Sequence, residues 1–105
     1  MQERQLIKLL LKKKFYDNNK SKVSKTTFTN GLGNVFTTIQ KAHEEYQQDL
    51  SIDELIDLHL EKYNPALTRA ARVNFESMVD EIRKEQEPSE DVAADILTAV
   101  HKRNL

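Results

Sequence analysis

Residues 50–66 read LSIDELIDLHLEKYNPA, and this stretch alone places two helix starts. Ser51 followed by Glu54 is a capping box: the hydroxyl accepts from the N3 backbone N–H and the carboxylate reaches back to the N-cap N–H. Leu50 and Leu55 have the spacing of the accompanying hydrophobic staple. Ile52, Leu55, Ile56, His59, Leu60 and Tyr63 then follow the helical repeat and form one apolar stripe. Asn64 offers an N-cap side chain and Pro65 suits the first helical position, so a second helix should open there. With only two Gly and two Pro in 105 residues, the turns of an all-β fold are lacking. The expectation is an all-α compact bundle of five to six helices.

The same periodicity extends in both directions. Downstream, Leu67, Ala71, Phe75, Met78, Val79 and Ile82 share a face, which takes that helix to about Gln86. Pro88 ends it, and Ser89 caps a closing helix with Glu90 and Asp91 in its first turn, where the helix dipole favours anions. Val92, Ile96, Leu97 and Val100 are its stripe. No stop signal precedes Leu105, which suggests a piece of a longer chain, although short proteins also end in this way. Upstream, a helix should run over Asn30–Gln48 with Leu32, Val35, Phe36, Ile39 and Tyr46 inward; Gly31 and Gly33 weaken its first turn. Residues 17–29, rich in Asn, Ser, Thr and Lys, read as a loop with one short helical turn, anchored by Val23 and Phe28. An opening helix over residues 3–14 turns Leu6, Ile7, Leu10 and Leu11 to one side. The organisation expected is a globular helical domain over 1–88 and a closing helix over 89–105.

Composition excludes several classes of function. Leu, Ile, Val and Phe total 28 of 105 residues, enough for a small core and too many for a disordered chain. Cysteine is absent, which removes disulfides, thiolate metal sites and cysteine nucleophiles. No run nears the ~18 apolar residues of a membrane span, and no secretory signal opens the chain. A cytoplasmic protein is expected. The net charge of −1 hides two blocks. Residues 1–28 carry eight Lys/Arg against two acids, and residues 42–66 carry seven acids against one Lys. The blocks could attract each other within the fold or present opposite faces to different partners.

The chemical candidates are few. His43, His59 and His101 fall on three different helices without metal-ligand spacing. His43, beside Glu44 and Glu45, reads as part of a solvated surface. His59, on an apolar stripe, reads as a half-buried histidine. Gly31-Leu32-Gly33 lacks phosphate-loop spacing and follows no strand. The Ser/Thr residues between Ser21 and Thr29 have no base beside them. Asp53 and Asp57 lie one turn apart but resemble an ordinary acidic surface. Lys12, Lys13, Lys14 and Tyr16, with Phe15, combine cations and aromatics and are the candidate nucleic-acid contacts. The acidic helix after Ser51 would repel phosphate as the reading helix of a helix-turn-helix. No catalytic residue, metal site or cofactor site is expected in this chain.

The order of elements resembles the N-terminal domain of DnaB-type replicative helicases, especially those of bacteriophages, over nearly the whole chain. The matching features are the apolar helix Glu3 to Leu11, Phe28, the Val35-Phe36 pair with Ile39, Ser51-Ile52 with Leu55, and the closing Asp91-Val92-Ala93-Ala94-Asp95-Ile96 with Val100 and Lys102-Arg103. The resemblance implies a non-catalytic collar domain that supports assembly of a hexameric ring and docks primase or the helicase loader. ATP and Mg would belong to a motor domain outside this chain. DNA contact would be weak or indirect, no membrane would be involved, and the setting would be the cytoplasm, that of the host for a phage protein. The closing helix would be the first arm of a dimerising hairpin whose second arm is absent, so self-association would use Val92, Ile96, Val100 and Arg103. The lysine-rich segment Lys12–Lys25 and the long helix after Pro65 depart from the bacterial pattern, so no partner-contact residue is transferred. Two other readings remain: a free-standing helical nucleic-acid-binding protein using the basic segment, and a small metal-dependent enzyme motivated by the histidines and acids.

Overall fold

An opening helix with four Leu or Ile in its last five residues buries that end, and α1 (Gln2–Leu10) is accordingly central to the bundle. The structure, a computed structural model, describes the backbone of residues 2–29 and 31–103, and the side chains of these except 2, 90, 94 and 100–103. Around α1 lie α2 (Lys13–Asn19), α3 (Leu32–Tyr46), α5 (Arg69–Lys84) and α6 (Glu90–Arg103). α4 (Ile52–Asp57) packs on α5 and continues as a wider π-helical turn over Leu58–Tyr63, which lies on α3. Regular structure among the described residues is entirely helical. Leu6, Ile7 and Leu10 are completely buried, and each such side chain contributes about 2 kcal/mol of transfer free energy.

The opening helix is shorter than its periodicity suggests. Lys12 adopts an extended conformation and breaks the run. Three bonds explain why the break is stable. The Leu50 N–H donates to the Leu11 carbonyl at 3.0 Å, the Lys12 N–H donates to the Leu9 carbonyl at 3.0 Å, and the Asp49 carboxylate accepts the Lys13 N–H at 2.8 Å. Asp49 thus caps α2 from 36 residues away. The expected loop over 17–29 is correspondingly more ordered. It begins inside α2 and continues as two short 3₁₀ turns, Lys20–Lys22 and Lys25–Thr27, with Val23 and Phe28 buried as anticipated.

Gly31, just before α3, and Gly33, in its first turn, both serve geometry. Gly31 is left-handed at φ +85°, and a Cβ on Gly33 would stand 2.7 Å from the Lys25 carbonyl oxygen. Gly33 lets α3 approach the second 3₁₀ turn, and a Cβ on Gly31 would stand 2.8 Å from the Met78 side chain of α5. At the other end Gln47 closes α3 in the left-handed region at φ 55°.

The capping box forms as read: Ser51 Oγ accepts from the Glu54 N–H at 3.0 Å, and Glu54 Oε1 accepts from the Ser51 N–H at 2.9 Å. The next start is displaced. Asn64 closes the preceding helix instead of opening the following one: its backbone N–H donates to the His59 carbonyl at 3.0 Å and its side-chain amide to the same oxygen at 3.2 Å. The chain then turns through Pro65-Ala66, and Thr68 caps α5 by accepting the Ala71 N–H at 3.2 Å. The far end of α5 is capped from α1, where the Lys8 ammonium donates to the Glu85 carbonyl at 2.6 Å and the Arg83 carbonyl at 3.3 Å. α6 lies on α1 and contributes Ile96 and Leu97 to the common core.

Candidate functional site

The basic segment keeps Lys12, Lys14 and Phe15 around one surface hollow but withdraws its second aromatic. Tyr16 is only 3% exposed and stacks on His43 with ring centroids 4.5 Å apart, so it is withdrawn from any base-stacking role. The cause is the break at Lys12, which rotates α2 so that Tyr16 faces α3. Lys12 pairs with Glu87 and Lys13 with Asp17. Of the three consecutive lysines, Lys14 alone has no described ion pair, and it is exposed. Among the described residues no ion pair joins the two charge blocks. Arg4 and Lys12 pair with Glu85 and Glu87, whereas Asp53 and Glu61 of the acidic block pair with Arg83 and Arg72 of α5.

The closing helix divides its candidate residues. Val92 is 48% exposed, while Ile96 is 4% exposed and buried against the core. Ile96 therefore stabilises the fold and is not free to meet a partner in this arrangement. Val100 and Arg103 lie outside the residues whose side chains are described.

Both described histidines are structural. His43, expected at a solvated surface, is fully buried, with Nε2 2.7 Å from the Leu10 carbonyl oxygen. Nε2 therefore carries the proton and donates, and Nδ1 is left without a hydrogen-bond partner. Its burial follows from α2 folding back over α3, a contact that neither helix encodes alone. His59 lies in the π-helical turn with Nδ1 2.6 Å from the Thr38 hydroxyl oxygen, and its ring stacks on Phe75. Burial, and then the nearby Lys41 ammonium, holds the His59 imidazole below its ordinary value. Among the described residues no three His, Asp or Glu side chains are grouped to hold a metal ion. Asp53 is engaged by Arg83 at 2.9 Å.

A polar cluster that the sequence did not disclose joins the end of α3 to the π-helical turn. The Lys62 ammonium pairs with Glu45, donates to the Tyr46 hydroxyl at 2.6 Å and sits 4.8 Å from the centre of the Tyr46 ring. The Tyr63 hydroxyl donates to the other Glu45 oxygen at 2.7 Å. Burial, and then the Glu45 carboxylate, pushes the Tyr63 phenol up to about 12. Hydrogen bonds to Glu45 and Tyr46 push the Lys62 ammonium above its ordinary range. The only local signal was the pair of dipeptides Glu45-Tyr46 and Lys62-Tyr63, whose facing positions depend on how two helices cross. Tyr46, expected inside the core, is 40% exposed and held by Lys62.

Tyr46 also walls a shallow apolar pocket of about 210 Å³ with Gln48, Leu50, Glu54, Asp57 and Leu58. A more polar hollow of about 510 Å³ lies between α2 and α3, where Lys13 and Lys20 face Asp17 and Glu44. No family model matches this chain, and neither the curated proteins nor the solved structures include a match to it. No helix among the described residues is long and apolar enough to cross a membrane.

Proposed function

We propose that this chain is the non-catalytic N-terminal collar domain of a DnaB-type replicative helicase, supporting hexameric ring assembly and docking primase or the helicase loader. The observation that carries the reading is the convergence of separately placed sequence features on one core. Phe28 meets Phe36 with ring centroids 5.3 Å apart, and Val35, Ile39, Leu55 and Ile96 belong to the same cluster. The all-α architecture with its closing helix also agrees with the family resemblance. ATP hydrolysis would reside in a motor domain of the parent protein, and this domain would supply contacts only. The nucleic-acid alternative loses one of its two aromatics through the burial of Tyr16.

The test is the parent gene beyond the codon for Leu105. A continuing frame that encodes a second hairpin helix and then a strand followed by a phosphate-loop motif supports the proposal. A frame without such a motor domain overturns it.

A further inference from the structure

The apolar pocket beside Tyr46 lies within the acidic block yet is lined by carbon-rich side chains at its base. Buried Leu50, half-buried Leu58 and exposed Tyr46 line it. At about 210 Å³ it is below the ~300–1,000 Å³ of small-molecule sites, and its scale suits one aliphatic or aromatic side chain of a protein. Its rim carries Glu54 and Asp57. Glu54 uses one carboxylate oxygen to cap α4, and Asp57 has no described ion pair. Both lie in a segment with seven acids against one lysine.

Tyr46 is also pre-organised. The Lys62 ammonium bonds its hydroxyl and covers its ring, so ordering this exposed aromatic on binding costs little further entropy. Tyrosine is among the residues that most often dominate binding energy at interfaces. A rigid aromatic wall, an apolar floor and an acidic rim define an anchor site with a preferred charge of partner. We infer that this pocket docks a basic protein segment that inserts one apolar side chain between Tyr46 and Leu58 while its lysines or arginines meet Glu54 and Asp57. The carboxylates steer the segment, and the buried apolar side chain supplies most of the affinity. The site needs only the pocket and its charges. Its failure would leave the replication reading to be decided by the parent gene.

The experiment is an amide-shift titration of the ¹⁵N-labelled 105-residue protein with a synthetic peptide in which one Leu is flanked by Lys on both sides. Shifts should concentrate at Leu50, Glu54, Asp57 and Leu58. Affinity should fall about tenfold when the peptide Leu becomes Ser, and by a similar factor in Asp57→Lys and Tyr46→Ala, both surface changes that leave the core intact. Equal binding of the Ser peptide would show charge attraction alone and overturn the inference. Shifts elsewhere, or none at millimolar peptide, would overturn it as well. If the same amides shift on concentrating the protein without peptide, a second copy fills the pocket and the proposed occupant is wrong.

Discussion

His59 and Phe75 stack face to face, with ring centroids 3.7 Å apart and planes 2° from parallel. The pair joins the π-helical turn to α5, and the Thr38 hydroxyl holds the imidazole from the α3 side. Three helical segments therefore meet at one histidine. The wider π-helical turn places this ring among them, and Asn64 fastens its end by two bonds to the His59 carbonyl.

Phe75 should be the costliest single truncation on α5. Removing a buried aromatic ring leaves a cavity as well as losing transfer free energy, so Phe75→Ala should destabilise by roughly 3–5 kcal/mol in urea unfolding. In a domain of this size that approaches the whole stability. A loss under about 1 kcal/mol would mean that α5 presents a different face to the core.

Stability should fall on mild acidification because of His59. Its folded value is held below the ordinary 6.5, so the unfolded chain binds this proton more readily. The stabilisation of the neutral ring is complete above pH 6.5 and declines as pH drops through 6.5 toward the lowered folded value. Urea midpoints measured across that window should fall more steeply for the wild type than for His59→Gln. Parallel slopes would assign the acid sensitivity to other groups.

Two glycine exchanges should have signs that helix propensity alone does not give. Gln47 is left-handed at φ 55°, so Gln47→Gly should raise stability by about 1 kcal/mol and shift the thermal midpoint upward. Gly33→Ala adds a good helix former inside α3, worth a gain of about 1 kcal/mol on propensity. The 2.7 Å approach to the Lys25 carbonyl should instead make it destabilising. A stabilised Gly33→Ala would mean that the 3₁₀ turn gives way easily.

The displaced start of α5 can be read by mutation. Thr68→Ala should cost about 1 kcal/mol through loss of the Ala71 cap. Asn64→Ala should also destabilise, but by fraying the turn that carries His59, visible as a changed imidazole signal by NMR. An unchanged His59 signal in Asn64→Ala would argue against its role in closing the preceding helix.

Local chemistry was legible wherever the partners lie within one or two helical turns. The Ser51–Glu54 box, the stripes through Phe36 and Phe75 and the anchors Val23 and Phe28 all depend on short spacings, and an all-α bundle follows from their sum. The break at Lys12 was not legible, because Asp49 and Leu50 stabilise it from across the fold. The burial of Tyr16 and His43 follows from that break. Nothing near Lys8 in the sequence indicates that it caps α5 from another helix. Asn64 carries the same side chain whether it opens a helix or closes one, and only the carbonyl within reach decides between them. The Tyr46 pocket and the Lys62 cluster arise where α3 meets the turn after α4, so their composition is in the sequence while their assembly comes from packing. Hydrogen bonds and ion pairs between distant segments form only after the core has brought their partners within about 3 Å, and periodicity along the chain carries no record of that distance.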